Sequence, residues 1–392
     1  MNNFICFSIN NWEKRKARKQ QFMLALSNRD DVDKVLYIEP PLNFWRLIFF
    51  SLKELSSTEN KNRWSRGLKG KKEKINNNLF IYIPIFFIPF FHRIQWIYNI
   101  NRFFSYLKIK KLLKKMDMKN NVLWLYHPYD YKLLKWFKER KISIFDWAEE
   151  WADYFIEFGK RKRKKIKRLE ALIIKGADIV FTVSEDLKKK AKLLNSNSYH
   201  LFDGTTYEVF QKENYTSSQD IKNIPKSIAG YLGTINERID VKLITKTAEE
   251  LPGVSFVFIG AIHKKRTNIS ELKKFDNINF LGEKEFEKLG DYTNYFDVCI
   301  LPYKTNLFMG FPTKLLDYLA TGKPVVSTKL KHLKKVIDYI NIAESDEEFI
   351  ESIKRALKEE NEERSKKRLM AAKENTWDKR AEQIMTIIKR YE

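Results

Sequence analysis

Residues 309–328 read MGFPTKLLDYLATGKPVVST, and they say more about the fold than any other stretch. A loop ends at Gly310-Phe311, Pro312 opens a helix, Gly322 closes it, and Val325-Val326-Ser327 begins a buried strand. Proline suits the first helical position because its missing N–H has no intrahelical partner there. Glycine suits the left-handed residue past the end. Leu315, Leu316, Leu319 and Ala320 form the inward stripe, which turns Thr313, Lys314 and Asp317 outward. No Ser, Thr, Asp or Asn stands where it would cap the N–H groups of Thr313, Lys314 and Leu315. A helix start of that kind beside a lysine is a seat for a phosphate. The same residues also suit a plain amphipathic helix, with Lys314–Asp317 a surface pair worth roughly 0.2–0.5 kcal/mol.

The neighbouring sequence alternates between strand and helix. Ser227–Leu232 is a strand, Gly233-Thr-Ile-Asn236 a tight turn, and Val241–Leu251 a helix. Ser255–Ile259 ends at Gly260, Ile278–Leu281 at Gly282, and Val298–Leu301 at Pro302. Each strand ends in a small or turn residue at the edge where open α/β sheets bind ligands. Two tail helices are expected, Asp346–Leu357 and Trp377–Tyr391. Upstream, Gln211–Lys226 is polar and aperiodic, which marks a linker.

The N-terminal half also begins as strand–helix–strand: Asn3–Ile9, a basic helix from Glu13 to about Leu26, and Val35–Glu39 stopped by Pro40-Pro41. Val122–Tyr126 ends at His127-Pro128, and Ser143–Asp146 ends near Glu149 and Glu150. A long basic helix, Gly159–Lys175, leads to Ala177–Ser184, and Tyr199–Phe202 closes the series. Between these, residues 44–115 interleave aromatics with lysines: Phe44–Phe50, a charged loop at Ser57–Lys74, the apolar run Leu79–Phe91, and a helix from Ile94 to Lys115. Such a segment suits an interfacial element that seats rings at headgroup level and attracts anionic lipid.

The chain has 392 residues, 43% of them hydrophobic, enough for roughly two domains with their own cores. Cys6 and Cys299 both lie in apolar strands, which suits a reducing compartment and gives no disulfide or zinc pattern. No metal site is expected. Charged residues follow directly after Trp12, so the start does not read as a secretory leader, and Leu79–Phe91 is too short and proline-broken to span a bilayer. The net charge of +24 suits phosphorylated substrates or anionic lipid, and no nucleic-acid motif accompanies it.

Five ordered blocks then become recognisable: Gly230-Tyr-Leu-Gly233-Thr, Phe258-Ile-Gly260, Phe280-Leu-Gly282-Glu, Asp297–Pro302 and Pro312–Val326. In this order they resemble the large retaining family of GT-B glycosyltransferases that use nucleotide sugars, and within it the teichuronic-acid and surface-polysaccharide type. The resemblance is strong from Ile228 to Thr328. It is weaker before that, resting on the Trp12 region, Ala177–Ser184 and Asp203-Gly204.

The resemblance implies two doubly wound Rossmann-like domains facing a cleft. Residues 1–210 would form the acceptor-side domain with its membrane-facing insert at about 44–115. Residues 211–226 would be the linker, 227–375 the nucleotide-sugar domain, and 376–392 a helix crossing back. It also implies a UDP- or GDP-sugar as substrate with no tightly bound cofactor, and a lipid-linked or cell-surface polysaccharide acceptor. The enzyme would be cytoplasmic, peripheral on the inner face of the membrane.

Leu281 and Gly282 would contact the base through their backbone. Phe311, Pro312, Thr313, Lys314 and Leu315 would hold the diphosphate, and Asp317 the ribose. Gly233, Thr234 and Gly260 would line the site, with Arg238 the nearest basic residue after the first glycine turn. His127 matches the histidine that contacts the donor near the reacting carbon, so His127, Lys314 and Asp317 are the catalytic candidates. The chain departs from the family pattern at Met309 and Asp317, where glutamates are common. Two other readings stay open: a GT-B nucleotide-sugar epimerase, and a non-enzymatic basic protein that binds membrane or nucleic acid.

Overall fold

The computed structural model describes residues 1–12, 17–50, 55–91, 93–154, 159–216, 219–263, 267–306, 311–331, 333, 336–358 and 361–392. The Glu13–Lys16 start of the expected basic helix lies outside them, as do Met309 and Gly310. The chain divides into two compact units, Met1–Phe202 with Arg380–Glu392, and Asp203–Lys379.

The first unit is built on an eight-stranded sheet. Its spatial order is Ser198–His200, Ile179–Thr182, Ile142–Trp147, Asn121–Leu125, Asn2–Phe7, Val32–Ile38, Leu79–Tyr82 and Glu73–Lys74. All pairs are parallel except the last, which closes an edge antiparallel. The central strand Asn2–Phe7 is buried at every position. From Phe4 to Phe7 it is also apolar without a break, as strands covered on both faces need. Phe22, Trp124 and Phe181 pack as tilted rings on one face. Ile5, Leu36, Leu123 and Phe145 belong to the core of the other. Arg18 is buried with Asp146, its Nε and Nη2 donating to the two carboxylate oxygens at 3.2 and 3.1 Å.

The segment 44–115 divides into local pieces. The expected loop Ser57–Lys74 is instead a helix, Thr58–Lys69, followed by the edge strand. Ser57 caps it by accepting from Asn60 N at 3.2 Å, Gly70 ends it at φ +59°, and Trp64 anchors it inward. Serine and glycine at those two positions stabilise a helix start and stop that its charged surface hides in the sequence. The helix Gln95–Lys115 buries Ile97, Tyr98, Asn101, Arg102, Ser105, Tyr106, Ile109 and Leu113. Its opposite face shows Trp96, Ile100, Phe103, Phe104 and Leu107 to solvent, then changes to Lys110, Lys111 and Lys114. Phe87 and Phe90 from the preceding loop, and Phe49 and Phe50 from the helix Phe44–Phe49 and its end, are also exposed, Phe49 by 67%. Phe44 packs on Phe87, which joins the two patches. No helix among the described residues is long and apolar enough to cross a membrane.

The second unit holds a six-stranded parallel sheet in the order Ile278–Gly282, Ser255–Ile259, Ile228–Leu232, Val298–Leu301, Val325–Thr328, Asn341–Ala343. Numbered along the chain this is 3-2-1-4-5-6. The order therefore reverses between Ile228–Leu232 and Val298–Leu301, which opens a crevice at their C-terminal ends. Cys299 is buried in the fourth strand, and burial pushes its thiol up to about 12. The expected linker 211–226 is not a free tether. Phe210 and Ile221 are buried in this unit's core, and Lys212 Nζ donates to Asp291 at 3.0 Å. The tail carries a helix not expected from the sequence, Glu362–Lys373, between Asp346–Lys358 and Trp377–Ile388.

Candidate functional site

The crevice of the second unit is shaped by glycines that stand where side chains would block it. Gly233 ends the first strand at φ +121°, and its N–H donates to Ile259 O at 2.8 Å. Gly260 ends the second at φ +147°, and a Cβ there would collide with the Gly233 carbonyl. Gly282 ends the third at φ +69°, its carbonyl accepting from Gly260 N at 2.8 Å. Three backbone ends thus lie against one another at the sheet edge, in conformations that favour glycine. Register shifts here, Phe258 facing Phe280 while Ile259 faces Gly282, so Leu281 is the extra residue of a bulge on the edge strand. A bulge re-aims the residues beside it, often next to a binding site.

Lys314 reaches this edge from the helix Lys314–Ala320. Its Nζ donates to the Tyr231 hydroxyl at 2.7 Å and sits 4.0 Å from the centre of the Tyr231 ring and 5.3 Å from that of Tyr303. A Cβ on Gly233 would collide with that same ammonium. The Tyr231 hydroxyl donates to Thr234 O at 3.1 Å and lies 3.2 Å from the Tyr303 hydroxyl. Burial raises the Tyr303 phenol, but the Lys314 charge and hydrogen bond, the Tyr231 hydroxyl and the Arg238 guanidinium together leave it lowered. Burial and the neighbouring Tyr303 hold Tyr231 well above the ordinary range. The two tyrosines cradle a cation beside the glycines, an arrangement suited to an anion arriving at the crevice.

The helix begins two residues later than the sequence reading placed it. Pro312 and Thr313 form a lead-in turn in which Pro312 O accepts from Leu315 N at 2.9 Å and Thr313 O from Leu316 N at 3.0 Å. The Leu315 N–H is therefore already engaged. Its side chain is fully buried, so Leu315 leaves the set of ligand-contacting candidates. Thr313 is exposed, while Phe311 is half-buried and packs on the core. Asp317 lies one turn beyond Lys314, and its Oδ1 accepts from the buried Thr205 hydroxyl at 2.7 Å. Thr205 is held in turn by backbone bonds with Asn375 and Trp377, and a Cβ on Gly204 would stand 2.7 Å from Trp377 N. At the far end, Arg368 of the unexpected helix donates to Gly322 O at 2.9 Å.

The structure thus gathers Gly233, Thr234, Gly260, Gly282 and Lys314, with Arg238 close enough to act on Tyr303 though its side chain is exposed. Sequence reasoning passed over Tyr231, Tyr303 and Thr205. A tyrosine two residues before the first glycine turn and another just after Pro302 were the available signal.

In the first unit His127 lies two residues past the strand Asn121–Leu125, at the point where strand order reverses beside Asn2–Phe7. Its Nδ1 accepts from Tyr129 N at 3.2 Å, and its ring packs against Trp151 with centroids 4.7 Å apart. Burial lowers it to about 4, so it is a neutral imidazole at neutral pH. Trp151 N–H and Trp147 Nε1 both donate to Glu170 Oε1, at 2.8 and 3.0 Å, and burial raises Glu170 to about 7. Asp146 is engaged by Arg18 inside the unit. Among the described residues no group of His, Cys, Asp and Glu is arranged to hold a metal ion.

A family model described as glycosyl transferases group 1 matches residues 226–359. The putative teichuronic acid biosynthesis glycosyltransferase TuaH of Bacillus subtilis is 27% identical over 263 residues, 62% of this chain and 65% of that protein. The match thus spans slightly less than two thirds of that relative. In three dimensions the chain resembles a sucrose-phosphate synthase from Thermosynechococcus elongatus, with TM-score 0.66, 12% identity, and 100% and 99% of the two chains covered. It also resembles an α,α-trehalose 6-phosphate synthase from Burkholderia multivorans, with TM-score 0.65, 10% identity, and 100% and 98% covered. Anabaena HepE, solved in complex with UDP-glucose, gives TM-score 0.62 at 10% identity, with 99% of both chains covered. At such identities the likeness is one of fold.

Proposed function

We propose that the chain transfers a sugar from a nucleotide-sugar donor, because residues 226–359 match the glycosyl transferases group 1 model and the two units share the fold of GT-B enzymes. The donor would be a UDP- or GDP-sugar, and the acceptor a lipid-linked or cell-surface polysaccharide glycan. The observation that carries this reading is the Lys314 ammonium, held over Tyr231 and against Gly233 at the crevice where strand order reverses.

A nucleoside diphosphate leaves glycosyl transfer with developing negative charge on its phosphate oxygens. A preorganised cation at that place stabilises the transition state more than the ground state. The Lys314 Nζ has a short reach from the Tyr231 hydroxyl to an incoming phosphate, while Gly233 and Gly260 leave the backbone bare for close approach. Asp317, fixed by Thr205, would accept from the ribose hydroxyls, and the bulged backbone at Leu281–Gly282 would meet the base. His127 would serve as a neutral hydrogen-bonding group on the ligand edge of the first unit. Retention of configuration is part of the proposal.

A thermal-shift screen of nucleotides and nucleotide sugars tests the donor assignment, since a ligand at 100 times its Kd stabilises by roughly 2.7 kcal/mol. Lys314→Ala should reduce kcat/KM by about tenfold or more, equivalent to about 1.4 kcal/mol. Near-normal kinetics would remove Lys314 from the site.

The exposed aromatics at 49–50 and 87–107 support docking of the first unit on the anionic inner leaflet of a membrane. Exposed rings flanked by lysines match the headgroup boundary in both polarity and charge. Failure to float with anionic liposomes at low salt would defeat that part.

A further inference from the structure

We propose a second lipid site in the first unit: a cavity at the C-terminal end of the helix Gln95–Lys115 that takes the hydrocarbon of one anionic lipid and pairs its phosphate with Lys111, Lys114 and Lys138. The cavity measures about 770 Å³. That lies within the roughly 300–1,000 Å³ of ordinary small-molecule pockets. Its apolar lining comes from Leu107, Leu113, Met118, Trp136 and Phe137. Tyr106 fixes the wall, donating to Trp136 O at 2.9 Å and packing edge-on against Phe137.

The charge around this apolar floor is one-sided. The two acidic lining residues each have a lysine of their own, Glu139 with Lys110 at 3.2 Å and Asp117 with Lys119 at 3.0 Å. Lys111, Lys114 and Lys138 line the same cavity and have no ion-pair partner among the described residues. An apolar pocket rimmed by three uncompensated ammonium groups matches an amphiphile with an anionic head, not a neutral one. The cavity also continues the exposed aromatic face. Phe103 of that face contacts Trp136 edge-on at 5.3 Å, and Leu107 belongs to both.

This place is not the acceptor site. Asn121, at the start of the strand Asn121–Leu125, lines the cavity, whereas His127 follows the other end of that strand. A lipid bound here holds the chain to its surface and leaves the ligand edge open. The inference rests on the reading that this unit meets anionic lipid, and its binding test uses a monomeric probe instead of a bilayer.

The full chain is titrated calorimetrically with monomeric dodecyl phosphate, with dodecyl maltoside and with inorganic phosphate. Dodecyl phosphate should bind, and the other two should bind at least roughly tenfold more weakly. The Lys111→Gln/Lys114→Gln/Lys138→Gln variant should weaken it by a similar factor, and so should Leu107→Asp, which places a charge in the mouth on an exposed helix position. Equal affinity for the maltoside, equal affinity for inorganic phosphate, or unchanged binding in both variants would overturn the site. UDP titration of the same preparations should be unaltered, so a failed donor assignment is read separately. A Trp96→Ser/Phe104→Ser variant should lose liposome flotation while still binding monomeric dodecyl phosphate; loss of both would place the probe on the open face and overturn the cavity.

Discussion

Gly233→Ala is the sharpest perturbation of the crevice, because one added carbon falls on the atom proposed to do the binding. At φ +121° the backbone already resists an L side chain, and the new Cβ would overlap Lys314 Nζ and stand 3.2 Å from its Cε. The ammonium must then leave the Tyr231 hydroxyl. It loses a charged hydrogen bond at 2.7 Å, worth about 1.5–3 kcal/mol, and a ring-face contact at 4.0 Å, worth about 0.5–2 kcal/mol. Only part of this is felt by the ligand, since a displaced lysine still carries its charge. UDP affinity is expected to fall by roughly 10- to 100-fold, or about 1.4–2.8 kcal/mol. Lys314→Ala should do the same, and the double variant should be no weaker than the worse single, since both act through one ammonium. Calorimetric titration with UDP across the three variants reads this coupling, and thermal melts follow the backbone strain separately. Additive losses would refute the shared mechanism, as would a Gly233→Ala affinity within roughly 0.5 kcal/mol of the parent.

Three further outcomes follow from buried contacts. Thr205→Val removes the bond to Asp317, so UDP should weaken while pyrophosphate does not; equal losses would take Asp317 away from the ribose. In the first unit His127 is held near 4, below its ordinary 6.5, so its contribution is full above 6.5 and lost as pH falls toward 4. Glu170 is held near 7, above 4.5, so its contribution is full below 4.5 and lost as pH rises toward 7. Each spans about 3 kcal/mol with opposite sign. Urea unfolding should therefore be nearly flat between these limits in the parent, fall toward acid in Glu170→Gln and fall toward pH 7 in His127→Gln; two flat variants would refute it. Arg18→Met strands the fully buried Asp146 carboxylate and should cost about 3–5 kcal/mol, with Arg18→Met/Asp146→Leu recovering much of it; equal melting temperatures for the two would deny the pair's burial.

The parallel sheets were legible because buried strands carry apolar runs, such as Phe4–Phe7 and Phe256–Ile259, ended by turn residues. Periodicity and punctuation suffice there. Thr58–Lys69 was not, because its core contact rests largely on Trp64, and one inward ring in a charged stretch leaves no period to read. The 211–226 segment read as a linker for a similar reason: Ile221 is the one buried side chain among its described residues, and its remaining ties to the second unit are polar ones such as Lys212–Asp291. Glu362–Lys373 buries Arg368 and Ala372, and an arginine serving as a buried contact is invisible to a hydrophobic pattern. In the crevice, the strand-end glycines were legible as turn residues, and Lys314 from its place in the helix that follows Pro312. The tyrosine cradle did not, because Tyr231 and Tyr303 lie far apart in the chain and meet only through the strand order that adjoins Ile228–Leu232 to Val298–Leu301. The lead-in turn at Pro312 escaped because a proline can begin a turn as readily as a helix.

The Lys314 cradle has an optical consequence. Tyr303 is the phenol whose ionisation the lysine favours, so on an alkaline titration it should absorb near the front of this chain's 18 tyrosines. An anion that draws the ammonium to itself withdraws that favour and delays the tyrosinate band. Occupancy of the crevice would then be visible in the ultraviolet, with no label attached and no sugar transferred.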